Sequence, residues 1–218
     1  MITISQLVEE AVLKSPFLEE GLSRKLINLS ALARELKPDF ETRLYKDLEV
    51  GSIVMALKRF SSKLNSTHSQ KLETILKNLT DFTVRSNIVS LTYSARPELS
   101  HKQEKVMELA NQITGSFLTI TDGVFETAFF ASASLEKVIE ENLKDEDLKN
   151  KQTGLSSITI ILPTQALDVP GVYYSILKSL AFNGVNFQEV VSSYTELTIF
   201  LKSENIEKAF AVLKKLTN

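Results

Sequence analysis

The residues best placed to do chemistry lie between Gln165 and Asn186. Pro170 has no N–H to give and Gly171 lets the backbone pass close to a partner. The helix expected to start there therefore presents free N–H groups and the positive end of its dipole, which together accept a carboxylate. Asp168 and Gln165, with the side-chain amides of Asn183 and Asn186, add a partner for an ammonium group and neutral hydrogen bonds. That set is the complement of a zwitterionic amino acid. The same residues also read as helix punctuation, with Pro-Gly as a start, Asp168 as its cap and Asn183-Gly184 as a left-handed end. Spacing alone leaves both readings open.

Other chemistries find less support. The 218 residues include no cysteine, which removes thiol nucleophiles, thiolate zinc sites, iron-sulfur clusters and disulfides. The seven glycines are too scattered for a GxGxxG or GxxxxGK phosphate cradle. His68 and His101 each stand in polar sequence and read as exposed helix-start residues, with no neighbours that suggest a catalytic triad. Glu140-Glu141 and Asp145-Glu146-Asp147 read as a solvated charge run rather than a metal site. The expectation is a protein that is not an enzyme and needs no cofactor or metal.

Hydrophobic residues at 43% and charged residues at 24% are ordinary for a folded, water-soluble chain. Glu9 and Glu10 interrupt the apolar start before a signal-peptide core forms, and no apolar run nears the roughly 18 residues that cross a bilayer. The cytoplasm is the expected compartment, with no membrane partner. Formal charge is −2 overall, split as +1 over 1–65, −4 over 66–150 and +1 over 151–218.

The elements that must position these residues fall into two patterns. Residues up to about 80 are helical: a short helix at 5–13, a second opened by Ser15-Pro16, a third over 28–36 stopped by Pro38, and a fourth with Val50, Ile53, Val54 and Leu57 on one face. A connecting helix over 66–80 crosses a boundary. From there strands and helices alternate in two rounds. The first has strands at 82–93, 117–121 and 124–131, the last two joined at Asp122-Gly123, with helices near 106–113 and 135–139. A polar connector, 144–154, leads to the second round, with strands at 157–162, 187–192 and 197–202 and helices at 171–183 and 204–216. Strand, helix, strand, strand, helix occurs twice, an internal repeat of order. Phe129, Phe130, Tyr173, Tyr174 and Tyr194 are assigned to core or interface packing.

Ile158 to Pro163, the run Leu167-Asp168-Val169-Pro170-Gly171-Val172, Asn183-Gly184-Val185-Asn186 and the strands through Val190 and Ile199 together resemble the ACT domain, a small βαββαβ ligand-binding module of amino-acid metabolism. The resemblance covers roughly 155–216, and the tandem is similar to the regulatory half of aspartokinases. It implies an α+β fold: a helical domain (1–65), a connecting helix (66–80), and ferredoxin-like ACT modules at 81–150 and 151–218. It also implies an amino-acid ligand held by Gln165, Asp168, Val169, Pro170, Gly171, Val172, Asn183 and Asn186, and a homodimer. The first repeat has Arg96-Pro97-Glu98 where Pro-Gly is expected, and each copy shows one strand fewer than the family has.

Leu26 to Arg34 with Ile53 to Phe60 resemble the helix-turn-helix segment attached to ACT modules in predicted regulators of amino-acid metabolism. On that resemblance the helix near 50–63 enters a DNA major groove, with Ser52, Lys58, Arg59 and Lys63 at phosphates or base edges. A net +1 is a weak electrostatic footprint for this task. A helical bundle that docks on another copy or on a biosynthetic enzyme is the competing expectation. The implied function is a ligand-responsive transcriptional regulator, with a detached regulatory subunit of an aspartokinase-type enzyme or a ligand-free dimeric scaffold as the alternatives.

Overall fold

Local capping sets the first three helices. The computed structural model describes residues 2–64 and 66–217, with 66–70 described by backbone. Thr3 and Gln6 form a reciprocal capping box that starts α1 (Ile4–Leu13). Ser15 accepts from the Leu18 N–H, with Pro16 in the first position of α2 (Pro16–Ser23). Asn28 Oδ1 accepts from the N–H groups of Ser30 and Ala31 at 3.0 and 3.1 Å and opens α3 (Leu29–Leu44). α4 (Val50–Ser61) follows, then α5 (Ser66–Lys77).

Pro38 does not stop α3, contrary to the sequence expectation; the helix continues through it to Leu44. An interior proline costs about 3 kcal/mol in a lost hydrogen bond and a ring clash. The extra turns offset this by burying Phe40 completely and by carrying Arg43 to the carboxylate of Glu10. The helix ends instead at Tyr45, in the left-handed region at φ 53°.

The chain divides into two compact units, Met1–Lys71 and Leu72–Asn218. In the first, α4 lies against α1, α2 and α3. Its core is built from Leu7, Val12, Leu22, Phe40, Ile53 and Leu57, among others.

The second unit is a six-stranded antiparallel sheet in the order β2-β3-β1-β4-β6-β5. Its strands are β1 (Phe82–Ser94), β2 (Leu118–Asp122), β3 (Glu126–Ser132), β4 (Leu148–Ile161), β5 (Glu189–Ser192) and β6 (Glu196–Lys202). The helices are α6 (Leu99–Asn111), α7 (Glu136–Asn142), α8 (Val172–Phe182) and α9 (Ile206–Lys214). Alternation along the strands sends Phe129 and Ala131 toward α6 and α7, and Leu197, Ile199 and Leu201 toward α8 and α9. Phe130 and Phe200 point the other way, into a smaller cluster with Ile88 and Leu155.

The strand missing from each repeat comes from sharing. Ile88–Ser94 of β1 pairs with β3 on one side and with the first half of β4 on the other. Phe82–Arg85 of the same strand pairs with Ser157–Ile160, which in turn pairs with β6. Each long strand holds one left-handed residue, Asn87 (φ 59°) in β1 and Gly154 (φ 67°) in β4, and the pairing register shifts around them, a bulge between the two strands. The expected boundary at 150/151 lies inside β4.

The polar stretch expected as a connector, 144–154, is strand from Leu148 onward. Main-chain pairing with β1 ignores side-chain polarity. Lys151 bonds Glu136 and Glu140, each at 2.6 Å. No helix among the described residues is long and apolar enough to cross a membrane.

Candidate functional site

The turn before α8 is anchored by buried residues on both sides of it, and the Leu72 side chain comes within 3.5 Å of the place a Cβ would take at Gly171. A 3-10 turn, Thr164–Asp168, buries Ala166; Val169 is extended; and Gly171 takes φ 94° immediately before α8. Only glycine holds that conformation without strain. Val172 then drops into the core at 2% exposure. Between these anchors Gln165, Asp168 and Pro170 are exposed, and Leu167 and Tyr174 stand exposed beside them.

Asp168 does not cap α8. No side chain does, so its first-turn N–H groups lack a side-chain acceptor. This is the arrangement that receives a carboxylate. Asp168 forms no hydrogen bond or ion pair among the described residues, and its carboxylate is available to an ammonium group.

Gln165, Asp168, Val169, Pro170, Gly171 and Val172 come together in this turn. Asn183 and Asn186 do not join them, because the eleven residues of α8 span about 16 Å and put both at its far end. Asn183 follows the last turn and donates to the Ser179 carbonyl at 2.8 Å, and Gly184 closes the helix at φ 65°. Asn186 is exposed.

The first repeat has the same scaffold with a shorter turn. Ala95 N–H donates to the Phe125 carbonyl at 2.9 Å, just as Leu162 N–H donates to the Thr195 carbonyl at 2.7 Å. Yet β1 ends at Ser94 and α6 starts at Leu99, whereas β4 ends at Ile161 and α8 starts at Val172. The shorter link closes on a single tight turn, with the Leu99 N–H donating to the Arg96 carbonyl at 3.0 Å, and has no left-handed glycine. Its nearby carboxylate, Asp147, is held below the usual range by the Ser94 hydroxyl and then by Lys149.

Tyr93 is a buried packing residue. Burial, with the Glu140 carboxylate near by, pushes the Tyr93 hydroxyl up to about 12. Its ring meets Phe129 edge-on at 5.9 Å. Among the described residues no three His, Asp or Glu side chains gather as metal ligands. His101 is exposed, with Nδ1 3.9 Å from Glu104; His68 lies outside the described side chains. Phe129 and Phe130 are core residues, whereas Tyr173, Tyr174 and Tyr194 are 37, 51 and 72% exposed.

Two clefts escaped the sequence. One, of about 430 Å³, lies where β4 meets the end of β6 and is walled by Gln152, Gly154, Gln188, Lys202, Ser203 and Glu204. They come from three separate stretches of the chain, and strand pairing brings those stretches together. The other, about 440 Å³, runs between α6 and the edge strand β2, past Met107, Asn111, Phe117 and Ile120.

In the helical unit, Ile53, Ala56 and Leu57 anchor α4. Ser52, Lys58 and Arg59 share its exposed side, and Lys63 follows one residue beyond the helix's capping Ser62. At 100° per residue the four fall within an arc of about 140°. None of the three cations has an ion-pair partner among the described residues. Five residues, 45–49, separate α3 from α4, slightly more than the usual helix-turn-helix turn of about 3–4 residues.

No family model and no curated protein sequence matches the chain. Solved structures do. The ligand-free regulatory subunit of aspartate kinase from Thermus thermophilus matches at 16% identity and TM-score 0.53, over 64% of this chain and 99% of that one. The Clostridium acetobutylicum aspartate kinase matches at 16% and 0.53, over 65% of this chain and 35% of that one. A structure of aspartokinase alpha and beta subunits matches at 16% and 0.51, over 63% and 97%. At this identity the likeness establishes the fold: the chain carries the ACT-like α+β architecture of an aspartokinase regulatory region.

Proposed function

We propose that the chain is an amino-acid-responsive regulatory protein whose second unit binds the effector and whose helical unit passes the signal on. The observation that carries this reading is the turn at 165–172. Uncapped helix N–H groups stand beside the exposed, unpaired Asp168 on a fold shared with aspartokinase regulatory subunits. A zwitterionic amino acid places its carboxylate on the N–H groups and its ammonium on Asp168. Asn183 and Asn186 reach such a ligand only from a second copy, which fits the homodimer implied by the sequence resemblance.

The output we favour is DNA binding through α4, supported by the exposed Lys58, Arg59 and Lys63. A second reading, a detached regulatory subunit docked on a biosynthetic enzyme, draws on the likeness to a regulatory subunit that is matched over 99% of its length. Duplex DNA titrated at several salt concentrations separates the two, because phosphate contacts release counterions. Binding that weakens linearly in log salt and responds to an amino acid supports the regulator. No binding at low salt favours the subunit. For either output, the effector must prefer one conformation, since equal affinity for both shifts nothing.

A further inference from the structure

We infer that the cleft beside Gly154 is a second binding site for a free α-amino acid, with Lys202 on the ligand carboxylate and Glu204 on its ammonium group. This rests on the reading of the chain as an amino-acid-binding protein and adds a site distinct from the turn at 165–172.

The cleft has a volume of about 430 Å³ and is more open than enclosed, so a ligand there is held by its charged and polar ends rather than by burial. Its shape follows from two backbone facts. The β4–β6 register sets Lys202 opposite Leu155, next to Gly154. Gly154 itself has nothing within 4 Å of the place a Cβ would occupy, so the main chain at the bulge borders open space.

The charges are uncommitted. Lys202 ends β6 and Glu204 lies in the 3-10 turn that follows, and neither forms an ion pair or side-chain hydrogen bond among the described residues. Between them Ser203 is tied to Ser156 at 2.8 Å, which fixes the wall. An anion alone would face Glu204 and a cation alone would face Lys202. A ligand that carries both charges satisfies both, with Gln152 and Gln188 left to bond its polar groups.

The internal repeat supplies a control. Aligning Phe130 with Phe200 and Glu126 with Glu196 puts Ser132, Ala133 and Ser134 at the places of Lys202, Ser203 and Glu204, and Leu118 at that of Gln188. The fold therefore does not require this charged set. It occurs in one repeat only.

The test titrates the free protein α-amino acids, one at a time, into the isotopically labelled full chain and follows backbone amide shifts. The N-acetyl and carboxamide derivatives of any binder follow. The inference expects shifts at Gly154, Gln188 and Ser203, loss of these with either derivative, and affinity there about tenfold or more weaker in Lys202→Met and in Glu204→Gln. Both variants are at exposed positions and should keep the parent melting curve. Shifts confined to residues 165–172, unchanged by either variant, would overturn this site and leave the proposed function standing. Absence of binding by every amino acid would overturn both.

Discussion

The rings of Phe130 and Phe200 stack with centroids 4.2 Å apart, although β1 and β4 lie between their strands in the sheet. Three strand spacings come to roughly 14 Å in a flat sheet. The sheet must therefore curl so that the two halves of its helix-free face close on each other. The stacked residues occupy equivalent places in the two repeats, so one contact joins the repeats near their pseudo-two-fold axis. Ile88 and Leu155, also equivalent, complete the cluster.

Phe130→Ala and Phe200→Ala should each destabilise the second unit by about 3–5 kcal/mol, the range for buried aromatic truncation. The double variant should cost less than the sum, because the first truncation already removes the stack. Chemical denaturation of the four proteins measures this. Strict additivity would mean that the rings act independently and the curl rests on other contacts.

Gly154→Ala isolates the backbone at the bulge between β1 and β4. With open space around the added methyl, the expected loss of about 1 kcal/mol comes from the left-handed φ alone. Asn87→Gly, on the β1 side of the bulge, should be neutral or slightly stabilising, since glycine accepts φ 59° more readily. Thermal melts that leave the alanine variant unchanged would show that the bulge does not depend on this conformation.

Much of this architecture was legible in the sequence, and the exceptions share a cause. Ser15 and Asn28 marked helix starts because capping is local. Pro38 misled because the burial of Phe40 and the reach of Arg43 to Glu10 are tertiary. The first half of β4 was hidden because its partner is the main chain of β1, which leaves no mark on side-chain periodicity. At the site, Pro170-Gly171 announced the turn, but the length of α8 separates Asn183 and Asn186 from it. Gln152, Gln188, Lys202 and Glu204 gave no linear signal, since strand pairing brings their separate stretches together.

The helical unit should lose stability in acid through two carboxylates. Arg43 and then Lys14 hold Glu10 below its ordinary value of 4.5. The Leu48 N–H and then Lys37 do the same for Glu41. A folded-state value below the unfolded one contributes stability that is complete above about pH 4.5 and disappears as pH falls through the lower folded value. Glu10→Gln should flatten this acid limb, seen by circular dichroism across pH. An identical pH profile in the variant would place the acid sensitivity elsewhere.

If α4 meets DNA, replacing Lys58, Arg59 and Lys63 together with alanine should lower the log–log salt slope by about 3 per chain and weaken binding to all sequences alike. Stability should change by no more than about 0.5 kcal/mol, since all three are exposed surface residues. An unchanged slope would assign DNA contact to another face.

The most direct measurement is the thermal unfolding of the full chain with each free amino acid added in turn. A ligand at about 100 times its Kd adds about 2.7 kcal/mol to the folded state, which for a unit of this size raises Tm by about 5–10 °C. One or a few amino acids should produce such a shift, and Gly171→Val, which forces a branched side chain into a left-handed position in the ligand turn, should reduce it beyond its own cost in stability. A chain that melts at the same temperature with every amino acid, up to concentrations well above physiological, would contradict an effector-binding role.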